Sequence, residues 1–322
     1  METILEQLEK ESIKELEMKY RDEESKLLEE RKKAETELDG LKQAVNDLKK
    51  SEGNKAQQFS SMKMSLKIKN DTAMCCVLGS CLTEDGSLLL AEHSNKKIIR
   101  ADIDKMSVTD YCCVPARPFG VCCTSKIKAA VCLNNNTIQF VSLGKPMTIT
   151  RQIKMKHRCF GIAYKDDKLY ITDNYQSSLY IHDMTGNLLQ TVTQDNPMQS
   201  LFSNPRTVAF NDADDKVFVA SWLKDLVIID GQGNHCQTFT DSELKSASSV
   251  CTDRRGNLFV SGYSSNNVIQ IGGDGTKMGV IVNSSNGLSS PESVCLTHDG
   301  ANYCLPKAII TIMSKSLLCT KV

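Results

Sequence analysis

The residues of this chain that could bind a metal or attack a substrate are, above all, its 14 cysteines and five histidines. Tetrahedral zinc draws four soft donors from two close-spaced pairs. No Cys-x-x-Cys occurs anywhere in the sequence. The adjacent pairs Cys75-Cys76, Cys112-Cys113 and Cys122-Cys123 would point to opposite faces of a strand. No histidine stands beside a plausible nucleophile, and there is no Gly-x-Ser-x-Gly elbow. The run Gly272-Gly273-Asp274-Gly275-Thr276-Lys277 lacks the spacing of a phosphate loop and opens no helix, so it reads as a hairpin turn. Asn211-Asp212-Ala213-Asp214-Asp215 is acidic enough for calcium but lacks the glycine and terminal glutamate of an EF-hand loop. The expectation is therefore no metal, no cofactor, no catalytic residue and no enzymatic activity.

The cysteines fit a plainer pattern. Cys81, Cys122, Cys251 and Cys295 stand where other copies of a repeat carry Ala163 and Ala209. In each copy an apolar residue precedes the small one: Val121-Cys122, Ile162-Ala163, Val208-Ala209, Val250-Cys251 and Val294-Cys295, with Ser80-Cys81 as a weaker first copy. They read as small core fillers. Thiols this numerous suit a reducing, cytoplasmic compartment.

A second apolar strand follows each pair after a turn, starting at 88, 129, 169, 217, 258 and, less clearly, 302. Third and fourth strands follow, as in Val227-Ile228-Ile229 before Gly231-Gln232-Gly233-Asn234. Four short strands per roughly forty residues is the period of a propeller blade. The spacing predicts an all-β six-bladed β-propeller over 65–322. The alternating segment Ser65–Lys69 is expected to pair with the last blade and close the ring, since an open edge invites aggregation. The last repeat departs most: Ala301-Asn302-Tyr303-Cys304-Leu305-Pro306 puts Asn and Pro where a buried strand should run.

Residues 1–60 differ in kind, with 12 Lys or Arg and 16 Asp or Glu. No proline falls in 1–52. Ile13, Tyr20, Leu27, Ala34, Leu41 and Leu48 recur every seven residues, with Leu38 and Val45 at the intervening spacing. This predicts a long α-helical coiled coil over 1–52, a linker over 53–64, and oligomerisation through that seam. The whole chain carries 39 Lys or Arg against 39 Asp or Glu, so no global basic field draws it to nucleic acid. No apolar run reaches the ~18 residues of a membrane helix, so no membrane association is expected. The charged start Met1-Glu2-Thr3 is not expected to be a secretory signal.

In a propeller the fourth-to-first and second-to-third strand loops share one face. On it this chain would place His93, Lys96, Lys97, Arg117, Arg158, Tyr175, Arg206, Trp222, Lys224 and Tyr263. Aromatic rings mixed with arginine make binding hot spots and also stack on unpaired bases. The same rings could serve as packing caps over the blade ends. Phe119 and Phe160 read as packing residues.

The run Leu90-Ala91-Glu92-His93-Ser94-Asn95-Lys96-Lys97-Ile98-Ile99 resembles the acidic-x-x-Asn-x-x-Ile signature of NHL-repeat propellers in the tripartite-motif (TRIM) family, although the Asn-His-Leu tripeptide is missing. A coiled coil directly before such a propeller is similar to that family's layout. The resemblance implies a non-catalytic adaptor without the RING and B-box zinc modules. It would pair with itself or a TRIM relative and recognise a protein substrate on the propeller, within a ubiquitin-ligase pathway. RNA is the alternative ligand, and a propeller hydrolase the remote one.

Overall fold

Short turns, many of them with left-handed residues, fold the chain into four-stranded meanders. Asp166 (φ 49°) and Asp167 (φ 57°) make a two-residue turn, and Gly256 (φ 82°) serves the equivalent place two blades on. The computed structural model describes residues 4–54, 61–68, 71–196, 199–211, 215–299, 302–313 and 316–321. The acidic run considered for calcium falls partly outside them. Two units result, Met1–Gln58 and Phe59–Val322.

Five blades are each built from four consecutive antiparallel strands. Blade 1 comprises Val77–Leu82, Leu88–Glu92, Lys97–Asp102 and Ser107–Cys113. Blade 2 comprises Pro118–Ser125, Lys128–Leu133, Thr137–Ser142 and Thr148–Lys154. Blade 3 comprises Ile162–Lys165, Lys168–Asp173, Ser178–Asp183 and Leu188–Val192. Blade 4 comprises Pro205–Asn211, Lys216–Ser221, Asp225–Asp230 and His235–Phe239, and blade 5 comprises Ala247–Thr252, Leu258–Gly262, Asn267–Ile271 and Lys277–Val282. The middle strands are apolar on both faces because each blade packs on two neighbours. Leu89, Ile98 and Val131 fill the gap between blades 1 and 2, and Phe218, Ile228 and Val260 that between blades 4 and 5. Outer strands such as Thr148–Lys154 are largely exposed.

The expectation of six like blades is corrected here: five blades follow the repeat, and the remaining sheet is made differently. It joins Pro291–Asp299, Asn302–Met313 and Ser316–Lys321 to Ser61–Ser65 from the other end of the propeller sequence. Its inner strand lies between those of blades 5 and 1. Met64, Leu66, Ile310 and Ile312 pack on Leu88 and Leu90, closing the ring. The closing strand is thus Ser61–Ser65, upstream of the segment expected from its alternation. Pro306 is accommodated inside Asn302–Met313 opposite His298, where the register slips on both sides. A residue without an N–H fits a ladder only at such a bulge.

The expected coiled coil is also corrected. Among the described residues there is one α-helix, Ile4–Asn54, and no second α-helix packs on it. Ile13, Tyr20, Leu27, Ala34 and Leu38 are exposed in the single chain. Leu41, Val45 and Leu48 lie in the helix, but their side chains, like residues 55–60 of the expected linker, fall outside the described set. No described helix is long and apolar enough to cross a membrane.

Ala163 sits buried on the first strand of blade 3, against Tyr170 and Val208. Enlarging it to leucine is expected to destabilise the ring by about 1–3 kcal/mol through overpacking. A melting curve that does not move would remove Ala163 from the inner wall.

Candidate functional site at the channel mouth

The first strands of the five blades and Pro291–Asp299 surround a central channel of ≈ 460 Å³. One position in the repeat decides what each strand offers at its mouth. Two residues before the apolar–small pair stand Leu78, Phe119, Phe160, Arg206, Ser248 and Glu292. The next position holds Gly79, Gly120, Gly161, Thr207, Ser249 and Ser293. On the glycine side the strands nearly touch: a Cβ on Gly79 would lie 2.6 Å from the Phe119 carbonyl oxygen, and one on Gly120 would lie 2.8 Å from that of Phe160. On the other side hydroxyls fill the gap. Thr207 Oγ1 accepts from the Val250 amide at 3.0 Å, and Ser80 and Ser293 share a hydrogen bond of 2.7 Å.

Close strands bring their side chains together. His93 stacks on Phe119 at 5.0 Å between centroids, and Phe119 stacks on Phe160 at 4.8 Å. The Arg206 guanidinium lies over Phe160 at 4.6 Å and over Trp222 at 4.3 Å. Trp222 meets Tyr263 at 5.0 Å. The six side chains form an arc across five blades. Beside it, Arg158 covers the exposed Tyr175 ring at 4.3 Å.

Glu292 supplies the arc's counter-charge, its Oε2 lying 3.6 Å from Arg206 Nη2. That separation exceeds a direct hydrogen bond. Arg206 Nε is buried and has no partner among the described residues. Burial pushes the Glu292 carboxyl above its ordinary range, with Arg206 pulling the other way. Burial likewise weakens the hold of Arg206 on its proton, though a guanidinium stays cationic at any ordinary pH. His93 Nδ1 is 3.1 Å from the Pro118 carbonyl, which can only accept, so Nδ1 carries the proton and Nε2 the lone pair. Burial holds this imidazole below the usual histidine range. Cys76 is pushed up, first by burial and then by Glu292 and Glu92, and so stays a thiol.

The residues expected on this face divide three ways. His93, Arg206, Trp222 and Tyr263 join the arc, and Arg158 with Tyr175 forms a second pair. Lys96 and Arg117 are exposed on their loops. Lys97 is not available: it is buried, ion-paired with Asp71, and lies 4.9 Å from the Tyr111 ring centroid. Lys224 is tied to the Ser200 carbonyl. Phe119 and Phe160, expected only to pack, do pack on each other, and Phe160 also becomes the floor under Arg206. Glu292 was missed; the signal that could have found it is its place in the same column as Arg206.

Glu92 and Asp173, at the ends of second strands, are buried pegs rather than surface acids. Glu92 accepts from the amides of Cys76, Ser94 and Asn95 at 2.7–3.1 Å, and Asp173 from those of Arg158, Tyr175 and Gln176 at 2.9–3.1 Å. Each fastens a second-to-third strand loop to the loop arriving from the preceding blade. The Glu92 peg is what the acidic-x-x-Asn run of blade 1 encodes, and blade 3 keeps the peg with Gln176 in the place of the asparagine. Among the described residues no group of three or more His, Cys, Asp or Glu is arranged to hold a metal.

No protein-family model matches this sequence, and no curated protein matches it. Solved structures do match. A catalytically inactive histidine-to-alanine variant of virginiamycin B lyase from Staphylococcus aureus, with quinupristin, aligns at TM-score 0.60 and 11% identity, over 82% of this chain and 100% of that one. The selenomethionine-substituted enzyme aligns at 0.59 and 10% over the same shares. A streptogramin B lyase aligns at 0.60 and 14%, over 82% of this chain and 97% of that one. At these identities the likeness shows the β-propeller fold alone. It still corrects one expectation. The missing zinc modules and nucleophile motifs point away from an enzyme, but enzymes that share this propeller fold show that such absences do not exclude catalysis.

Proposed function

We propose that this chain is a recognition protein whose channel mouth grips an extended segment of a protein partner. The observation that carries this reading is Arg206, held between two ring faces with one buried N–H left unpartnered. A stacked guanidinium is fixed in place before a ligand arrives, so little side-chain entropy is lost on binding. Tyr263, Trp222 and the Arg158–Tyr175 pair extend the surface with aromatic anchors of the kind that dominate interfaces. A helix followed by a propeller fits the TRIM-like adaptor layout, which by family analogy would place the chain in a ubiquitin-ligase pathway.

The test is selection of displayed peptides on the full chain. Binders should emerge, and Trp222→Ala should weaken them at least about tenfold, the scale of a hot-spot residue. If the mouth instead recovers RNA on crosslinking, with affinity collapsing as salt rises, the ligand is nucleic acid.

A second reading is favoured by His93, whose Nε2 keeps its lone pair because Nδ1 carries the proton toward Pro118, and by the fold's use in lyases: a lyase-type site at the mouth, with Arg206 steadying developing negative charge. Incubation with quinupristin followed by mass spectrometry tests it. Intact quinupristin would leave the recognition reading in place.

We also propose that the exposed helix stripe pairs with a second copy of the chain or a TRIM relative. Changing Ile13, Leu27 and Leu41 together to Asp should give a monomer by light scattering. An unchanged mass would mean that these positions are not the contact.

A further inference from the structure

We propose that Cys81 and Cys123 form a reversible disulfide-forming site in the wall of the channel, reacting with low-molecular-weight disulfides and stapling blade 1 to blade 2. Neither is an inert filler. They lie on the first strands of neighbouring blades, with their sulfurs 3.8 Å apart. Both line the channel and both are only half-buried, so a small molecule in the channel can reach them.

The pair is polarised. Cys123 Sγ is 3.6 Å from the Leu82 carbonyl, which only accepts, so the Cys123 proton points there. The Cys81 S–H is then left to donate to Cys123. That hydrogen bond, followed by the charge of Arg100, holds the Cys123 thiol below its ordinary range against burial and against Asp85 and Glu84. The same bond pushes Cys81 up, together with burial. Other thiols of the inner strands, Cys122 and Cys251, are pushed up, first by burial and then by neighbouring Cys123 for the one and by Cys295 and Asp253 for the other.

Arg100 is the independent observation. It is 4% exposed, on the third strand of blade 1. Its Nη2 donates to the Leu143 carbonyl at 2.8 Å, while its Nε is buried and has no partner among the described residues. A buried guanidinium with a spare N–H is costly to keep unless something negative is to be stabilised. Its charge bears on the Asp85 carboxyl and on Cys123 alike, helping to hold both below their ordinary ranges.

The chemistry balances. The Cys123 thiolate attacks one sulfur of R–S–S–R; the S–S bond breaks and R–S⁻ leaves with the electron pair, taking up a proton from water. Cys81 loses its proton to water and attacks the Cys123 sulfur, expelling the second R–S⁻. Two protein thiols are oxidised and one small disulfide is reduced to two thiols. A shift of under 2 Å in sulfur position turns contact into an S–S bond of about 2.05 Å.

The experiment treats the full chain with oxidised glutathione, then maps peptides without reduction. A Cys81–Cys123 linked peptide, with loss of two hydrogens, is expected. Cys81→Ser should stop the reaction halfway, leaving one glutathionyl group on Cys123. Arg100→Gln should slow Cys123 modification severalfold at neutral pH, since less of the thiol is then ionised. If Arg100→Gln does not fold, the pH profile of Cys123 alkylation in the unaltered chain replaces it, read against exposed Cys236. An inflection below that of Cys236 supports the assignment, and one at or above it overturns it. Glutathione on Cys236 with no Cys81–Cys123 link overturns the proposal outright.

Discussion

Replacing Gly161 by alanine is expected to cost the propeller about 3 kcal/mol, among the larger effects a single methyl can have. A Cβ there would fall 1.9 Å from the Arg206 carbonyl oxygen and 2.9 Å from Thr172 Oγ1. The first obstacle is backbone of the next blade and cannot swing aside. The second is already engaged, accepting from the Gly161 amide at 2.8 Å and donating to that same Arg206 carbonyl at 2.9 Å. Relief comes only by prising blade 3 from blade 4, which opens the packing of Tyr170 on Val217 and Val219. A urea melt should show a lower midpoint at unchanged slope. A midpoint within error of the parent would mean that the two strands have slack the structure does not show. The same shift would move Arg206 off Phe160, so partner binding should fall in step with stability.

Arg206→Met is the second large effect, and its size should depend on pH. Methionine keeps much of the apolar stem over the rings but leaves Glu292 without its counter-charge. Removing one member of a buried pair is costly because the other remains desolvated; for this partly buried pair about 2 kcal/mol is expected at pH 8. Glu292 can escape the penalty by taking a proton. Its folded pKa is already raised above the ordinary value of 4.5, chiefly by burial, and losing Arg206 raises it further. A carboxyl raised in the folded state contributes stability that is fully present below its unfolded pKa and is lost as pH rises through the folded value. The variant should therefore be close to the parent near pH 4, fall away toward pH 8, and recover when Glu292→Gln is added. An equal loss at both pH values would show that the guanidinium acts by shape rather than charge.

The parts of this molecule written in neighbouring residues were legible. The apolar–small pairs and the second strands are local, and each blade's meander follows from them with turns such as Asp166-Asp167. What escaped notice was long-range. Asp71 neutralises Lys97 from 26 positions upstream, so a lysine that looked free on its loop is committed. Glu292 answers Arg206 across an intervening blade, a distance at which no local pattern announces a pair. Pro306 looked incompatible with a strand because the bulge that admits it is set by register with His298, not by its own neighbours. The seven-residue spacing in 4–54 did give a helix. It could not give a partner, because an apolar stripe records what a helix would bury and not whether anything is there.

The sheet made from both ends of the propeller sequence has a consequence for how the molecule comes into being. Ser61 lies opposite Thr320, so the first strand of this unit to leave the ribosome waits for nearly the last. Blades 1 to 5 can each form as they emerge, since their strands are adjacent in the chain. The clasp cannot, and until it fastens, the flanks of blades 1 and 5 and the strand Ser61–Ser65 stay open to other chains. Without Ser316–Lys321 the strand Ser61–Ser65 would have no partner, although Pro291–Asp299 would still bridge blades 5 and 1, and a nascent chain held in that state is the form on which a chaperone would have most to do.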